Sequence, residues 1–193
     1  MRAPLFAALA LAIVGTLGLS ACATAPMAEP VASMDTLQGL QVSGVAPVKV
    51  GAFKPDPSLP PGKDKSINSR AAAIKPPTGN SFAAYLGQTL ATELNAAGKL
   101  DGASALEITG FLTESQLDSA GFVTATGSLG ARFVMTRNGT VVYDKVLRVD
   151  ASWESNFIGA IAIPAAISNY NALYAKLARA LLQDPDFVAA TRG

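Results

Sequence analysis

The stretch 123-VTATGSLGARFVMTRNGTVVYDKVLRVDASW-153 decides the fold. Val123, Ala125, Leu129, Ala131, Phe133 and Met135 occupy odd positions, and so do Val141, Tyr143, Leu147, Val149, Ala151 and Trp153. Side chains alternate between faces along a strand, so each half reads as a strand with one apolar face. A two-residue Asn138-Gly139 turn would pair Phe133 with Asp144 and set the two apolar rows on opposite faces. A three-residue loop of Arg137, Asn138 and Gly139, with glycine in its left-handed third position, pairs Phe133 with Tyr143 and Leu129 with Leu147. Both rows then share one face, and a long hairpin with a three-residue loop is predicted.

Outward from the hairpin the periodicity changes. Leu106, Ile108 and Leu112 alternate with Glu107, Thr109 and Thr113 and predict a third strand. Before it, Phe82, Leu86, Leu90, Leu94 and Ala97 line one side of a helix that Asn80 or Ser81 can cap and Gly98 can stop. After the hairpin, Ile167, Tyr170, Leu173, Tyr174, Leu177 and Leu181 predict a helix over Pro164–Leu182. Asp184-Pro185 ends it, with one short turn to follow at 186–191. Gln41–Phe53 predicts a first strand with Val42, Val48, Val50 and Ala52 on one parity. Pro47 cannot donate to a ladder, so that strand belongs at an edge or is interrupted there. Residues 54–78 hold Pro55, Pro57, Pro60, Pro61, Pro76 and Pro77 and predict a loosely ordered loop. The fold class expected is α/β (α+β): one domain, β-α-β-β-β-α, a mostly antiparallel four-stranded sheet with two helices on one face.

The first 21 residues stand apart. Arg2 precedes an apolar run, Leu5 to Leu17, that is too short to span a bilayer and has the form of a signal-peptide core. It ends in Leu19-Ser20-Ala21-Cys22, which resembles the lipobox of bacterial lipoproteins. That resemblance implies cleavage before Cys22, acylation of its thiol and a firm membrane anchor. Cys22 is the one cysteine of the chain, so no internal disulfide can form. Ala23, rather than Asp, follows it, which by resemblance to Gram-negative lipoprotein sorting implies the outer membrane. Residues 22–39, rich in Ala, Pro, Met and Thr, are expected to form a flexible tether, and 40–193 a periplasmic domain. An ordered arm on the domain surface is the other reading of 22–39.

Composition narrows the function classes. Lys and Arg number 15 against 14 Asp and Glu, with no histidine, for a formal charge of +1. A neutral surface without a basic stripe argues against nucleic acid as a partner. The missing histidine removes the commonest general base and transition-metal ligand. Glu114, Asp118, Asp144, Asp150 and Glu154 could supply a carboxylate pair, but no spacing selects two of them. No catalytic residue, metal or cofactor is expected.

Taken together, the lipobox, a strand with a Pro-rich loop, a Phe82-x3-Leu86-x3-Leu90-x3-Leu94 helix closed by Gly98, a meander with Arg132-Phe133-x3-Arg137-Asn138-Gly139, Trp153 and a C-terminal helix resemble the YajG-type family of small Gram-negative lipoproteins. More distantly the pattern is similar to envelope lipoproteins such as LptE. The resemblance implies an outer-membrane lipoprotein with an α/β domain and no established enzymatic activity, and it carries over no catalytic residue.

One segment stands out as a candidate contact site. Phe157, Ile158, Ile161 and Ile163 lie in an apolar run between the last strand and the last helix. Such a run is expected first to enter the core. If exposed, it would form a docking surface for an envelope protein partner or the lipid interface. Two functions are carried forward: a non-catalytic lipoprotein binding or bracing another envelope component, and a module binding an apolar small molecule in a cavity lined by Phe82, Leu86, Trp153 and Tyr170.

Overall fold

The structure is a computed structural model and describes residues 23–77 and 80–192. The signal segment and Cys22 lie outside the described residues. Eleven elements follow in order: β1 (Ala23–Pro26), α1 (Met34–Ser43), β2 (Lys49–Pro55), β3 (Ile67–Ser69), β4 (Ala72–Lys75), α2 (Phe82–Ala96), β5 (Leu106–Asp118), β6 (Thr124–Arg137), β7 (Thr140–Glu154), α3 (Gly159–Leu182) and α4 (Pro185–Arg192). The main sheet has the order β2-β5-β6-β7, and β1-β4-β3 form a small second sheet. The β2–β5 pair is parallel, as its crossover through α2 requires, and the pairs β5–β6 and β6–β7 are antiparallel. This is the α+β domain expected, with α2 and α3 on one face of the main sheet.

Those two helices and the inward face of the sheet make the core. Ser81 caps α2 by accepting from Ala84 N–H, and Gly98 takes the left-handed conformation (φ 67°) just past its end. Phe82, Leu86, Leu90 and Leu94 are all buried, as the spacing predicts. They meet Tyr170, Leu173, Tyr174, Leu177 and Leu181 of α3, and Leu129, Ala131, Phe133 and Met135 of β6.

The hairpin pairs differently from the sequence expectation. The turn is the two-residue one, with Asn138 (φ 50°) and Gly139 (φ 83°) both left-handed and Arg137 opposite Thr140. That conformation matches the twist of the flanking strands. The parity conflict is resolved one pair further in, where a bulge between Met135 and Thr136 puts Met135 opposite Tyr143. Beyond it Phe133 pairs with Lys145 and Leu129 with Val149, so the apolar rows share a face as predicted while the register slides by two. One extra residue in a bulge did what the three-residue loop was expected to do.

Other corrections concern the first half of the chain. Residues 22–39 are not a slack tether over their described part. Ala23–Pro26 pairs in parallel with β4, Met27 is buried, and α1 follows from Met34. Ser33 caps α1, and its N–H donates to both carboxylate oxygens of the buried Glu93 at 3.1 Å. Gln41–Ser43, expected to begin a strand, end α1 instead, and β2 starts only at Lys49, after Pro47 and on the sheet edge. The Pro-rich loop is ordered where it is described. Asp64 satisfies the first turn of α2, its carbonyl accepting from Phe82 N–H (2.7 Å) and its carboxylate from Ala83 N–H (2.8 Å), while Ile67 and Ile74 are buried. Prolines lack a donor that would need a partner, so such a segment can fold against the surface at low cost. Finally, α3 begins at Gly159, five residues before Pro164, which sits inside the helix rather than at its start.

Candidate interaction surface

Three loops converge at one end of the molecule: the β3–β4 turn at Arg70, the β5–β6 turn at 119–123, and the β7–α3 link at 155–158. Arg70 holds them together. Its left-handed backbone (φ 52°) turns the side chain across the other two loops. Its Nε donates to the Ser119 carbonyl (3.0 Å) and Nη1 to the Phe157 carbonyl (3.1 Å). Nη2 donates to the carbonyls of Asn156 (2.5 Å) and Gly121 (3.2 Å) and to Ser155 Oγ (3.2 Å). The guanidinium also lies 5.8 Å from the centre of the Phe122 ring, a cation–π distance. Beneath it Ser69 Oγ and Ser119 Oγ are 2.8 Å apart and fully buried.

What this scaffold presents is apolar. Phe122 is 70% exposed, Val123 77%, Phe157 74%, Ile158 45% and Ile161 53%. The expectation of burial for the Phe157–Ile163 run is therefore overturned. Phe157, Ile158 and Ile161 face outward, and Ile163 is half-buried beneath them. Phe157 precedes α3, Ile158 is its N-cap, and Ile161 lies in its first turn. Phe122 and Val123 join this group through the link between Ser155 N–H and the Val123 carbonyl (2.8 Å), and nothing in the sequence ties them to Phe157. Arg70, the residue that organises the cluster, was not singled out either, because a lone arginine in a Pro-rich region reads as solvated surface.

The remaining candidates resolve in other ways. Three of the five carboxylates, Glu114, Asp144 and Asp150, are tied into ion pairs on the open face of the sheet. Glu114 accepts from Arg148 Nε (2.7 Å) and from Ser128 Oγ (2.7 Å), Asp150 from Arg148 Nη1 (2.7 Å), and Asp144 from Arg132 Nε (2.7 Å). The Arg148 guanidinium holds Glu114, and Arg132 holds Asp144, below the ordinary carboxylate range. Neither is poised as a proton donor near neutrality. Among the described residues no group of three or more metal-ligating side chains comes together.

The cavity required by the small-molecule hypothesis is filled. Phe82 and Tyr170 meet edge to face at 5.6 Å, Tyr174 packs on both, and Tyr85 closes the group at 4.9 Å from Tyr174. Trp153 stands apart, half-buried at the end of β7. Ser115 Oγ lies 2.7 Å from Tyr170 Oη, which lies 3.0 Å from Tyr174 Oη, so the buried hydroxyls satisfy one another. Burial pushes the Tyr170 phenol up to about 12. This polar thread fixes the packing of α3 on β5; it leaves no space for a ligand.

No protein-family model matches the chain, and no curated protein matches its sequence. Solved structures do match in fold. A Xanthomonas campestris protein of the DUF330 family superposes with a TM-score of 0.53 at 13% identity, covering 82% of this chain and 94% of that one. A Caulobacter crescentus protein described as a putative lipoprotein gives 0.44 at 15% identity over 82% of this chain and 97% of its own. A minor lipoprotein of Acinetobacter baumannii gives 0.43 at 14% over 72% and 90%. The first of these shows that the α+β fold of this chain is shared with the DUF330 protein.

Proposed function

We propose that this chain is a lipid-anchored, non-catalytic lipoprotein of the Gram-negative envelope, acylated on Cys22, that binds or braces another envelope component from the periplasmic side of the outer membrane. The observation that carries it is exposed apolar surface in two places, the cluster of Phe122, Val123, Phe157, Ile158 and Ile161 held on Arg70 and the valines Val141, Val142 and Val146 of the edge strand β7. A stable monomer gains nothing from keeping so much apolar surface in water, so the cluster is a contact surface. The lipobox pattern at Leu19–Cys22 and the resemblance to YajG-type lipoproteins support the anchor and the location.

A second surface is available for the braced component. β7 is the free edge of the main sheet, and its first half exposes Val141, Val142 and Val146 at the end remote from Arg70. An edge strand recruits a partner strand by backbone pairing, with alternate side chains adding selectivity.

The test is in-cell photocrosslinking with a probe at position 142 or 146, in the native chain and in Cys22→Ala. One partner captured in stoichiometric yield by the native chain and lost in Cys22→Ala is the expected result. A native chain that is acylated yet captures nothing at either position would count against bracing.

A further inference from the structure

We infer that the apolar cluster around Arg70 seats the domain on a lipid surface, the same membrane that its anchor enters. The inference rests on the acylation of Cys22 proposed above and adds to it a second, protein-made contact.

Two observations fix where the anchor emerges. Ala23 is the register partner of Ala72 in the parallel β1–β4 pair, and Ala72 is two residues from Arg70. Strand neighbours lie about 4.8 Å apart and consecutive Cα atoms about 3.8 Å apart, so Ala23, the residue after Cys22 in the sequence, lies beside the Arg70 turn. Further along, Met27 and Ala28 share a shallow groove with Pro164, Ile167 and Asn171 of α3, and Tyr85 Oη donates to the Ala28 carbonyl (2.8 Å). The arm runs alongside α3 in the direction of the helix, which brings Ala23 level with the first turn that carries Ile158 and Ile161. The lipid anchor and the apolar cluster therefore share one end of the molecule.

The chemistry of that end suits lipid better than a protein groove. A loop that enters a water-poor layer must satisfy its backbone carbonyls internally, since lipid offers no donors. Arg70 does this for both loops, donating to the carbonyls of Ser119, Gly121, Asn156 and Phe157. Asp118 is turned back to accept from Ala120 N–H (3.1 Å), and Asn156 Oδ1 accepts from Ile158 N–H (2.8 Å). The exposed apolar groups at this end are two phenyl rings, a valine and two isoleucines, flanked by the exposed carboxylates Asp118 and Glu154, and such an apolar group suits the boundary between headgroups and acyl chains.

The test is depth-resolved quenching on the acylated, mature chain in phosphatidylethanolamine–phosphatidylglycerol vesicles whose acyl chains carry bromine. Trp153→Phe removes the one native tryptophan, and single tryptophans are then placed by Phe157→Trp, Ile161→Trp or Val146→Trp, all at exposed positions. Circular dichroism verifies the fold, and mass spectrometry of the N-terminal peptide verifies the acyl chains. The expected result is blue-shifted emission, mostly quenched, at 157 and 161, with emission at 146 unchanged by bromine. Vesicle-bound, acylated chain with 157 and 161 unquenched would overturn the seating alone and leave the anchor standing. So would protection of 157 and 161 by self-association or by a co-purified protein. An unmodified Cys22 in chain extracted from membranes would overturn anchor and seating together.

Discussion

The two faces of the main sheet solve the same structural problem with different materials. On the inner face Phe133, Leu129 and Met135 are fully buried against the helices, and three of the polar groups that enter, Ser115, Tyr170 and Tyr174, pair with one another. On the outer face the same strands carry Glu114, Arg132, Asp144, Arg148 and Asp150 as a lattice of solvated ion pairs. Alternation along β6 and β7 makes both faces from one stretch of chain. The inner face holds the fold through shape, where one atom too many or too few is felt throughout. The outer face holds solubility and orientation, and its exposed pairs are individually worth little.

Removing inner-face volume should have the largest effect. Phe133→Ala leaves a hole opposite Phe53, whose ring sits 6.1 Å away edge to face, and should cost about 3–5 kcal/mol in urea unfolding. Adding volume comes next. Phe53 lies between two glycines, and a Cβ on Gly110 would fall 2.3 Å from its ring, while one on Gly87 would fall 2.9 Å from it on the other side. The ring cannot retreat, so Gly110→Ala should destabilise by about 1–3 kcal/mol. A smaller effect of opposite sign is expected at Tyr143, whose buried hydroxyl has no hydrogen-bond partner and whose ring packs on Phe187 at 5.5 Å. Tyr143→Phe should raise the thermal midpoint, corresponding to a gain of about 1 kcal/mol.

The subtlest contrast is in pH dependence. Burial pushes the Glu93 carboxyl up, against the opposing bonds from Ser33, whereas Arg148 and Arg132 hold Glu114 and Asp144 down. A raised carboxyl contributes stability that is full at low pH and lost as pH rises through its folded value. The lowered ones contribute stability that is present near neutrality and lost as pH falls below the ordinary carboxylate range. Urea midpoints should therefore rise slightly as pH falls from neutrality towards the ordinary carboxylate range and drop below that range. Glu93→Gln should abolish the rise and keep the drop. A rise that persists in Glu93→Gln would mean that another buried group titrates.

The inner face was legible in the sequence because its periodicity is unbroken: Phe82 to Leu94 at helical spacing, Leu106 to Leu112 and the odd rows of the hairpin at strand spacing. What was not legible depends on contacts across long separations. The β6–β7 register turns on where one extra residue is placed, and the sequence permits it either in the loop or beyond Thr136. The small sheet needs Ala23–Pro26 to find Ala72–Lys75, and strands of four residues carry too little pattern to announce themselves. Of the candidate site, Phe157, Ile158 and Ile161 were found as an apolar run, but their exposure was not. It depends on α3 starting at Gly159, where no side chain caps the helix and a proline follows in its second turn. Phe122, Val123 and Arg70 come from other loops and become one surface only in three dimensions.

The end of α1 and the link after it are tied to α4. Arg192 Nε donates to the Gly44 carbonyl (3.3 Å), its Nη2 to the Ser43 carbonyl, and Ala46 N–H to Thr191 Oγ1 (3.3 Å), across sequence separations of 145 to 149 residues. Contacts of such span are the slowest kind to form. For a chain delivered N-terminus first, the end of α1 has no lock until the final helix has emerged, and β1 has none until β4 has. The arm from Ala23 to α1 therefore docks only once residues far along the chain are in place, and its resistance to proteolysis reports a closed domain.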